Sequence, residues 1–258
     1  MSNVHVTGAA RGIGKAIADR LAADGHRVAV SDLPSMAEEL EATRSALPSV
    51  DAGEHIALTG DVSDQESVAA LVRDTAAQLG SLDVMVANAG IAQTKALLEV
   101  SPDEYDKVHA VNGRGVFLCY TEAARQMIEQ GNGGKIIGAA SIAAHKGFAL
   151  LGVYCSSKFA VRALTQAAAQ EWAEHGITVN AYCPGIVDTA MWEQIDSDLG
   201  EINQVGKGES MQAMAAGISL GRVSTGADVA GLVSYLAGPD SNYMTGQSVL
   251  VDGGMLFV

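Results

Sequence analysis

The stretch VHVTGAARGIGKAIADRLAA (Val4–Ala23) places a short apolar strand, a glycine-rich turn and a helix in immediate succession. Glycines let the backbone turn tightly and approach a phosphate. The start of the helix adds unpaired N–H groups and the positive end of its dipole. The spacing of Gly8, Gly12 and Gly14 is G-x-x-x-G-x-G rather than G-x-G-x-x-G, but strand, turn and helix follow in the order a dinucleotide site requires. A second strand, Arg27–Ser31, ends at Asp32, 18 residues beyond Gly14. A carboxylate there accepts hydrogen bonds from ribose hydroxyls and repels a 2′-phosphate, which favours NAD over NADP. Arg11, inside the turn, is the contrary signal.

Outward from this unit, apolar strands keep alternating with helical patterns, the mark of parallel βαβ construction. Further strands are expected at His55–Gly60, Asp83–Ala87, Lys135–Ala140, Ile177–Tyr182 and Gln247–Asp252. A helix over Met36–Ala46 is weakly patterned. Ser63 and Glu66 read as a capping box opening a helix to Leu79, and Ser101 with Glu104, plus Pro102, opens one to Glu129. The next ends at His175-Gly176 and the last spans Ala227–Leu236. The reading is an α/β chain: a single Rossmann-type, doubly wound parallel sheet of seven strands flanked by helices. Residues 1–258 are expected to form one dinucleotide-binding catalytic domain. The long section 186–224 is expected to be a substrate lid, with a plain pair of surface helices as the alternative.

Composition narrows the classes. With 48% hydrophobic and 18% charged residues the chain is globular rather than disordered. A formal charge of -14 argues against a nucleic-acid partner. Three cysteines (Cys119, Cys155, Cys183) without a C-x-x-C pair suggest neither a disulfide framework nor a metal site, and none of the six histidines pairs in H-x-x-x-H. No charged-then-apolar leader or long apolar run stands out, so a cytoplasmic protein without a membrane span is expected.

The stretch AASIAAHKGFALLGVYCSSKFAV (139–161) carries the chemistry. Tyr154 and Lys158, four apart on a helix, share one face. An ammonium beside a phenol favours the phenolate, so Lys158 is expected to lower the Tyr154 pKa. Ser141 lies just past a strand, 13 residues before Tyr154. His145, near the site in sequence, is expected to face solvent, with a place in the pocket wall as the alternative. Asp61 either touches an adenine edge or is a turn acid before a helix.

With TGAARGIG (7–14), Asp61-Val62, NAG (88–90), Asn112, Ser141, Tyr154/Lys158 and Pro184-Gly185 in this order, the chain resembles the short-chain dehydrogenase/reductase family over its whole length. The resemblance implies that Tyr154 is the acid and base, that Lys158 binds the nicotinamide ribose and tunes Tyr154, that Ser141 polarises the substrate oxygen, and that Asn112 holds a relay water. It implies cofactor contacts from Gly8, Arg11, Gly12, Ile13, Gly14, Asp32, Leu33, Asp61, Val62, Asn88, Ala89, Gly90, Tyr154, Lys158, Pro184, Gly185, Val187 and Thr189.

Substrate contacts are expected from Ser141, Ile142, Phe148, Tyr154, Gly185 and Trp192, a largely apolar set suited to a small neutral ketone or secondary alcohol. Residues 88–100, 158–171, 184–196 and 241–257 are similar to the family's bacterial acetoin (diacetyl) reductase and 2,3-butanediol dehydrogenase branch. Ile142 and Phe148 resemble its L-type, (S)-acetoin-forming members. Cys155, Cys183 and Gly113 depart from that pattern. The branch implies diacetyl, acetoin and 2,3-butanediol as substrates and a homotetramer, with Leu118, Val161 and Leu164 offered as subunit contacts. Alternatives are a polyol, hydroxysteroid or oxoacyl reductase, a non-catalytic NAD-sensing module, and a glycine-loop methyltransferase.

Overall fold

Successive side chains on a strand point to opposite faces of a sheet, and strands buried on both faces read as continuous apolar runs. The computed structural model, which describes residues 1–50, 53–206 and 208–258, shows this arrangement. The strands are β1 (Asn3–Thr7), β2 (Arg27–Asp32), β3 (Ile56–Thr59), β4 (Val84–Ala87), β5 (Gly134–Ala139), β6 (Ile177–Pro184) and β7 (Ser248–Val251). They form one sheet in the order β3-β2-β1-β4-β5-β6-β7, with every neighbouring pair parallel.

In β4, Val84 and Val86 face one layer and Met85 and Ala87 the other. The first layer holds α1 (Gly12–Ala23), α2 (Ala37–Ala46) and α9 (Gly226–Ala237), which bury Ile17, Leu21, Leu40, Val229 and Val233. The second holds α3 (Gln65–Leu79), α5 (Gly115–Gln130) and α6 (Gly152–Glu171), with Val68, Val72, Tyr120, Met127 and Val161 inside. A fully buried aliphatic side chain is worth about 1.5–3 kcal/mol, so these two layers hold the sheet between them. No helix among the described residues is long and apolar enough to cross a membrane.

Several local expectations are corrected. The cap of α3 is Asp64, whose carboxylate accepts the Ser67 N–H at 2.7 Å, and Ser63 instead bonds Asp61. The Ser101/Glu104 capping box does open a helix, α4 (Pro102–His109). It does not run on to Glu129: a π-helical turn at Ala110–Arg114 separates it from α5. The helix bearing Tyr154 starts at Gly152 and ends at Glu171, and a short 3-10 turn leads to Gly176. Leu118 and Val161 are core residues, not surface ones; the aromatics exposed on these helices are Phe117 (45%) and Phe159 (43%).

Residues 186–224 contain two helices, α7 (Ala190–Asn203) and α8 (Glu209–Ala215). The buried carboxylate of Asp196 ties them together by accepting the N–H groups of Gly208 at 2.6 Å and Met211 at 2.8 Å.

Candidate active site

β1 has β2 on one side and β4 on the other, so the strand order reverses there. In open parallel sheets a crevice forms beyond the carboxyl ends at such a point. Here it receives the turn Gly8–Gly12 after β1 and Asn88–Gly90 after β4. Asn88 ties the two together. Its amide donates to the carbonyls of Thr7 (2.8 Å) and Gly8 (3.1 Å), while its Oδ1 accepts the hydroxyl of buried Tyr182 (2.8 Å). The Thr7 hydroxyl accepts the N–H groups of Asn88 and Ala89. The Asn88 side chain thus braces the turn after β1 against β6. Gly8 has φ +65°, and a Cβ on Gly14 would collide with the Gly8 carbonyl and the Asn88 amide, so both must be glycine.

Helix α1 starts at exposed Arg11 with no side-chain cap and no acid in its first turn. Its first N–H groups are left for an outside acceptor. Both carboxylate oxygens of Asp32 are oriented by backbone, one accepting the Ala10 N–H (3.0 Å) and the other the N–H of exposed Leu33 (2.8 Å). Each oxygen keeps a further lone pair. Asp61 Oδ1 accepts the N–H and hydroxyl of Ser63 in the turn before α3, and Val62 is buried against Gly115. On the far side, Thr189 lies 3.8 Å from where a Gly12 Cβ would stand, Val187 bridges to Ser224, and Gly185 after Pro184 packs closely on Asp252. An uncapped helix end, an oriented carboxylate and a close-packed glycine turn fit a dinucleotide.

At the chemical end, Ser141, Lys158 and Asn112 are buried and Tyr154 is half-buried. Ser141 caps a 3-10 turn by accepting the Ala143 N–H at 3.1 Å. Burial pushes the Tyr154 phenol up to about 12, and a side-chain hydrogen bond with Ser141 opposes that rise. Burial also pulls the Lys158 ammonium down to about 8. The expected depression of Tyr154 by Lys158 is thus overruled by desolvation. Lys158 Nζ donates to the Ala139 carbonyl (2.8 Å) and sits 5.6 Å from the centroid of the Tyr154 ring.

The π-helical turn carries Asn112. Its Oδ1 accepts the Ile91 N–H (2.9 Å), and its amide donates to the Ile91 carbonyl (2.8 Å) and the Ser157 hydroxyl (3.1 Å). A Cβ on Gly90 would fall 3.3 Å from Asn112 Oδ1 and 3.5 Å from Lys158 Nζ, so the glycine keeps the space between them open.

Phe148 and Tyr154 pack on an apolar cluster of Ala143, Leu151 and Cys155. Ile142 is buried, and Trp192, in the first turn of α7, does not line the cleft that Phe148 borders. His145 is half-buried rather than solvent-facing, with both ring nitrogens shielded, and burial lowers its pKa. Three contributors carried no motif signal. Cys155 Sγ accepts the Phe148 N–H (3.4 Å), Leu150 holds a left-handed φ of +66°, and its carbonyl accepts the Lys95 N–H at 2.7 Å. Lys95 and Leu150, 55 residues apart, come together only in the folded chain.

A family profile described as Enoyl-(Acyl carrier protein) reductase matches residues 8–256. The chain is 50% identical over 253 residues to the L-2,3-butanediol dehydrogenase of Corynebacterium glutamicum, covering 98% of this chain and 97% of that protein. It is 45% identical over 254 residues to an (S)-acetoin-forming diacetyl reductase of Staphylococcus aureus, covering 98% and 96%. Among solved structures, levodione reductase superposes with a TM-score of 0.90 at 32% identity, over 97% of this chain and 96% of that one. The chain belongs to the short-chain dehydrogenase/reductase family. It is an oxidoreductase of that family, whose dehydrogenases use nicotinamide cofactors.

Proposed function

We propose that the chain is an NADH-dependent reductase of small neutral ketones, taking diacetyl to (S)-acetoin and interconverting acetoin with (S,S)-2,3-butanediol. The observation that carries this is the placing of Lys158 Nζ 5.6 Å from the centroid of the Tyr154 ring, with buried Ser141 just past β5, beside a crevice shaped for a dinucleotide. The substrate and its hand rest on the names of the relatives and on the uncharged wall of buried Ile142 and half-buried Phe148.

The bound nicotinamide supplies the hydride. Ser141 donates a hydrogen bond to the substrate oxygen and so polarises the carbonyl. Tyr154 gives that oxygen its proton in reduction and takes it back in oxidation. The high pKa of Tyr154 keeps that proton in place at neutral pH. Lys158, while charged, holds the ribose and favours the phenolate formed. Asn112 Oδ1 keeps one lone pair beside the Gly90 space, where a water can relay protons to Lys158. Asp32 selects NAD by repelling a 2′-phosphate. Residues 186–224 close over the substrate as a lid on one catalytic domain spanning 1–258, and exposed Phe117 and Phe159 pack between the subunits of a cytoplasmic homotetramer.

The test is a panel of diacetyl, racemic acetoin, each 2,3-butanediol isomer and an acetoacetyl thioester, with NADH or NADPH and the matching oxidised cofactor, and chiral analysis of the products. Diacetyl turned to (S)-acetoin with NADH is the expected result. Equal rates on the thioester, or a preference for NADPH, contradicts the reading.

A further inference from the structure

Four places in the chain set an aspartate or asparagine directly before a glycine: Asp24-Gly25, Asn112-Gly113, Asn132-Gly133 and Asp252-Gly253. A glycine carries no Cβ to shield its backbone nitrogen, which can then attack the side-chain carbonyl one residue back. The fold holds three of these side chains away from that reaction. Asp24 accepts from the Arg20 guanidinium (2.9 Å) and the Ser234 hydroxyl. Asp252 is buried and accepts the N–H groups of Gly254 (3.0 Å) and Leu256 (2.8 Å). Asn112 is buried inside the π-helical turn, with both ends of its amide bonded.

Asn132 is the exception. It is exposed in the turn between α5 and β5, and its amide bonds none of the described residues. Gly133 falls between the end of α5 at Gln130 and the start of β5 at Gly134, so its N–H belongs to neither a helix nor a ladder. A larger residue cannot replace this glycine. Its φ is +70°, and a Cβ would stand 2.6 Å from the carbonyl oxygen of Gly176, in the turn leading into β6. The close approach of the two turns therefore keeps the labile pair in place.

We infer that Asn132 is a site of spontaneous deamidation, a covalent modification independent of the proposed reaction. The Gly133 nitrogen bonds to the side-chain carbonyl carbon of Asn132 and passes its proton to the departing amide nitrogen. Ammonia leaves as a five-membered succinimide closes. Water then opens the ring at either carbonyl, with no change of oxidation state. One product is aspartate. The other is isoaspartate, whose main chain runs through the side-chain carbon and is one atom longer. Either product adds one negative charge to a chain already at -14. The site lies at the end of β5 opposite Ser141, away from the reacting residues.

The experiment ages the folded full chain at mildly acidic and mildly basic pH and maps its peptides by mass spectrometry. Isoaspartate is identified by enzymatic carboxyl methylation, and a chain held unfolded in urea is the reference. In the folded chain Asn132 converts at least tenfold faster than Asn112, and faster at the basic pH, because Asn112 reacts only when its turn opens. In urea the two convert within about threefold of each other, since both precede glycine and neither is held. Asn132→Gln keeps an amide that cannot close the five-membered ring, and it removes most of the acidic shift seen on isoelectric focusing of the aged chain. Asn132→Asp marks where the shifted band runs. Equal conversion of Asn112 and Asn132 in the folded chain overturns the inference, as does an Asn132 that converts only in urea. An acidic shift undiminished in Asn132→Gln overturns it as well.

Discussion

The Lys158 ammonium donates to the Ala139 carbonyl at 2.8 Å and stands 5.6 Å from the centre of the Tyr154 ring, so its bond goes to the sheet and its charge alone reaches the phenol. Burial sets Lys158 near 8 and Tyr154 near 12. Below about pH 8 the lysine is charged and the tyrosine holds its proton, the state that reduction needs. Above it the lysine loses its charge first. The kcat/KM for diacetyl reduction is therefore flat below about pH 8 and falls with a one-proton slope above it. Lys158→Arg, whose guanidinium stays charged, flattens that fall while lowering the rate. A Lys158→Arg profile that still falls near pH 8 assigns the step to another group.

Asp32 is held by the N–H groups of Ala10 and Leu33, so its charge has a fixed position at the end of β2. Asp32→Asn keeps an acceptor and removes the repulsion of a 2′-phosphate. The ratio of kcat/KM for NADPH over NADH should rise about 10- to 100-fold, the scale of roughly 1.4–3 kcal/mol for one partly screened charge. Steady-state kinetics with both cofactors measures it, and an unmoved ratio removes Asp32 from the selection.

His5 is fully buried between the hydroxyls of Ser31 (2.7 Å) and Thr75 (2.8 Å), and burial lowers its pKa to about 4. An unfolded chain protonates this residue near 6.5, so the unfolded state binds the proton first as pH falls. Stability from neutral His5 is complete above about pH 6.5 and is lost down to about pH 4, roughly 3 kcal/mol in all. Urea unfolding of wild type and His5→Gln across this range isolates the effect. Wild type loses more stability with acid than the variant, and parallel curves would refute the assignment.

Asn112 satisfies both backbone groups of Ile91 as well as Ser157. Asn112→Leu fills the volume but strands a buried N–H and C=O, at about 1–3 kcal/mol each. The urea midpoint should drop accordingly. Asn112→Asp, which keeps the acceptor for Ile91, should lose less. Equal losses would mean that volume rather than hydrogen bonding holds the π-helical turn.

What the sequence made legible was local. Val4–Ala23 fixes strand, turn and helix through adjacent residues, and Asp32, Ser141, Tyr154 and Lys158 fall where the motifs place them. What it hid depends on partners far along the chain. The break at Asn112 arises from bonds to Ile91 and Ser157, which no helical period foretells. Leu118, offered as a subunit contact, lies in the core, and its neighbour Phe117 is the exposed residue. The pKa of Tyr154 was misjudged because spacing reports the neighbouring charge but not the burial that outweighs it. The bracing bond of Asn88 to Tyr182 was hidden because its partner lies 94 residues away.

The central claim is that Tyr154 passes the proton. Its most direct test is diacetyl-dependent NADH oxidation by Tyr154→Phe, alongside NADH binding by fluorescence titration. Removing the hydroxyl alone should cut kcat by about 10²–10⁴-fold while the NADH Kd stays within about threefold of wild type. A variant that binds NADH and reduces diacetyl at the wild-type rate would contradict the account.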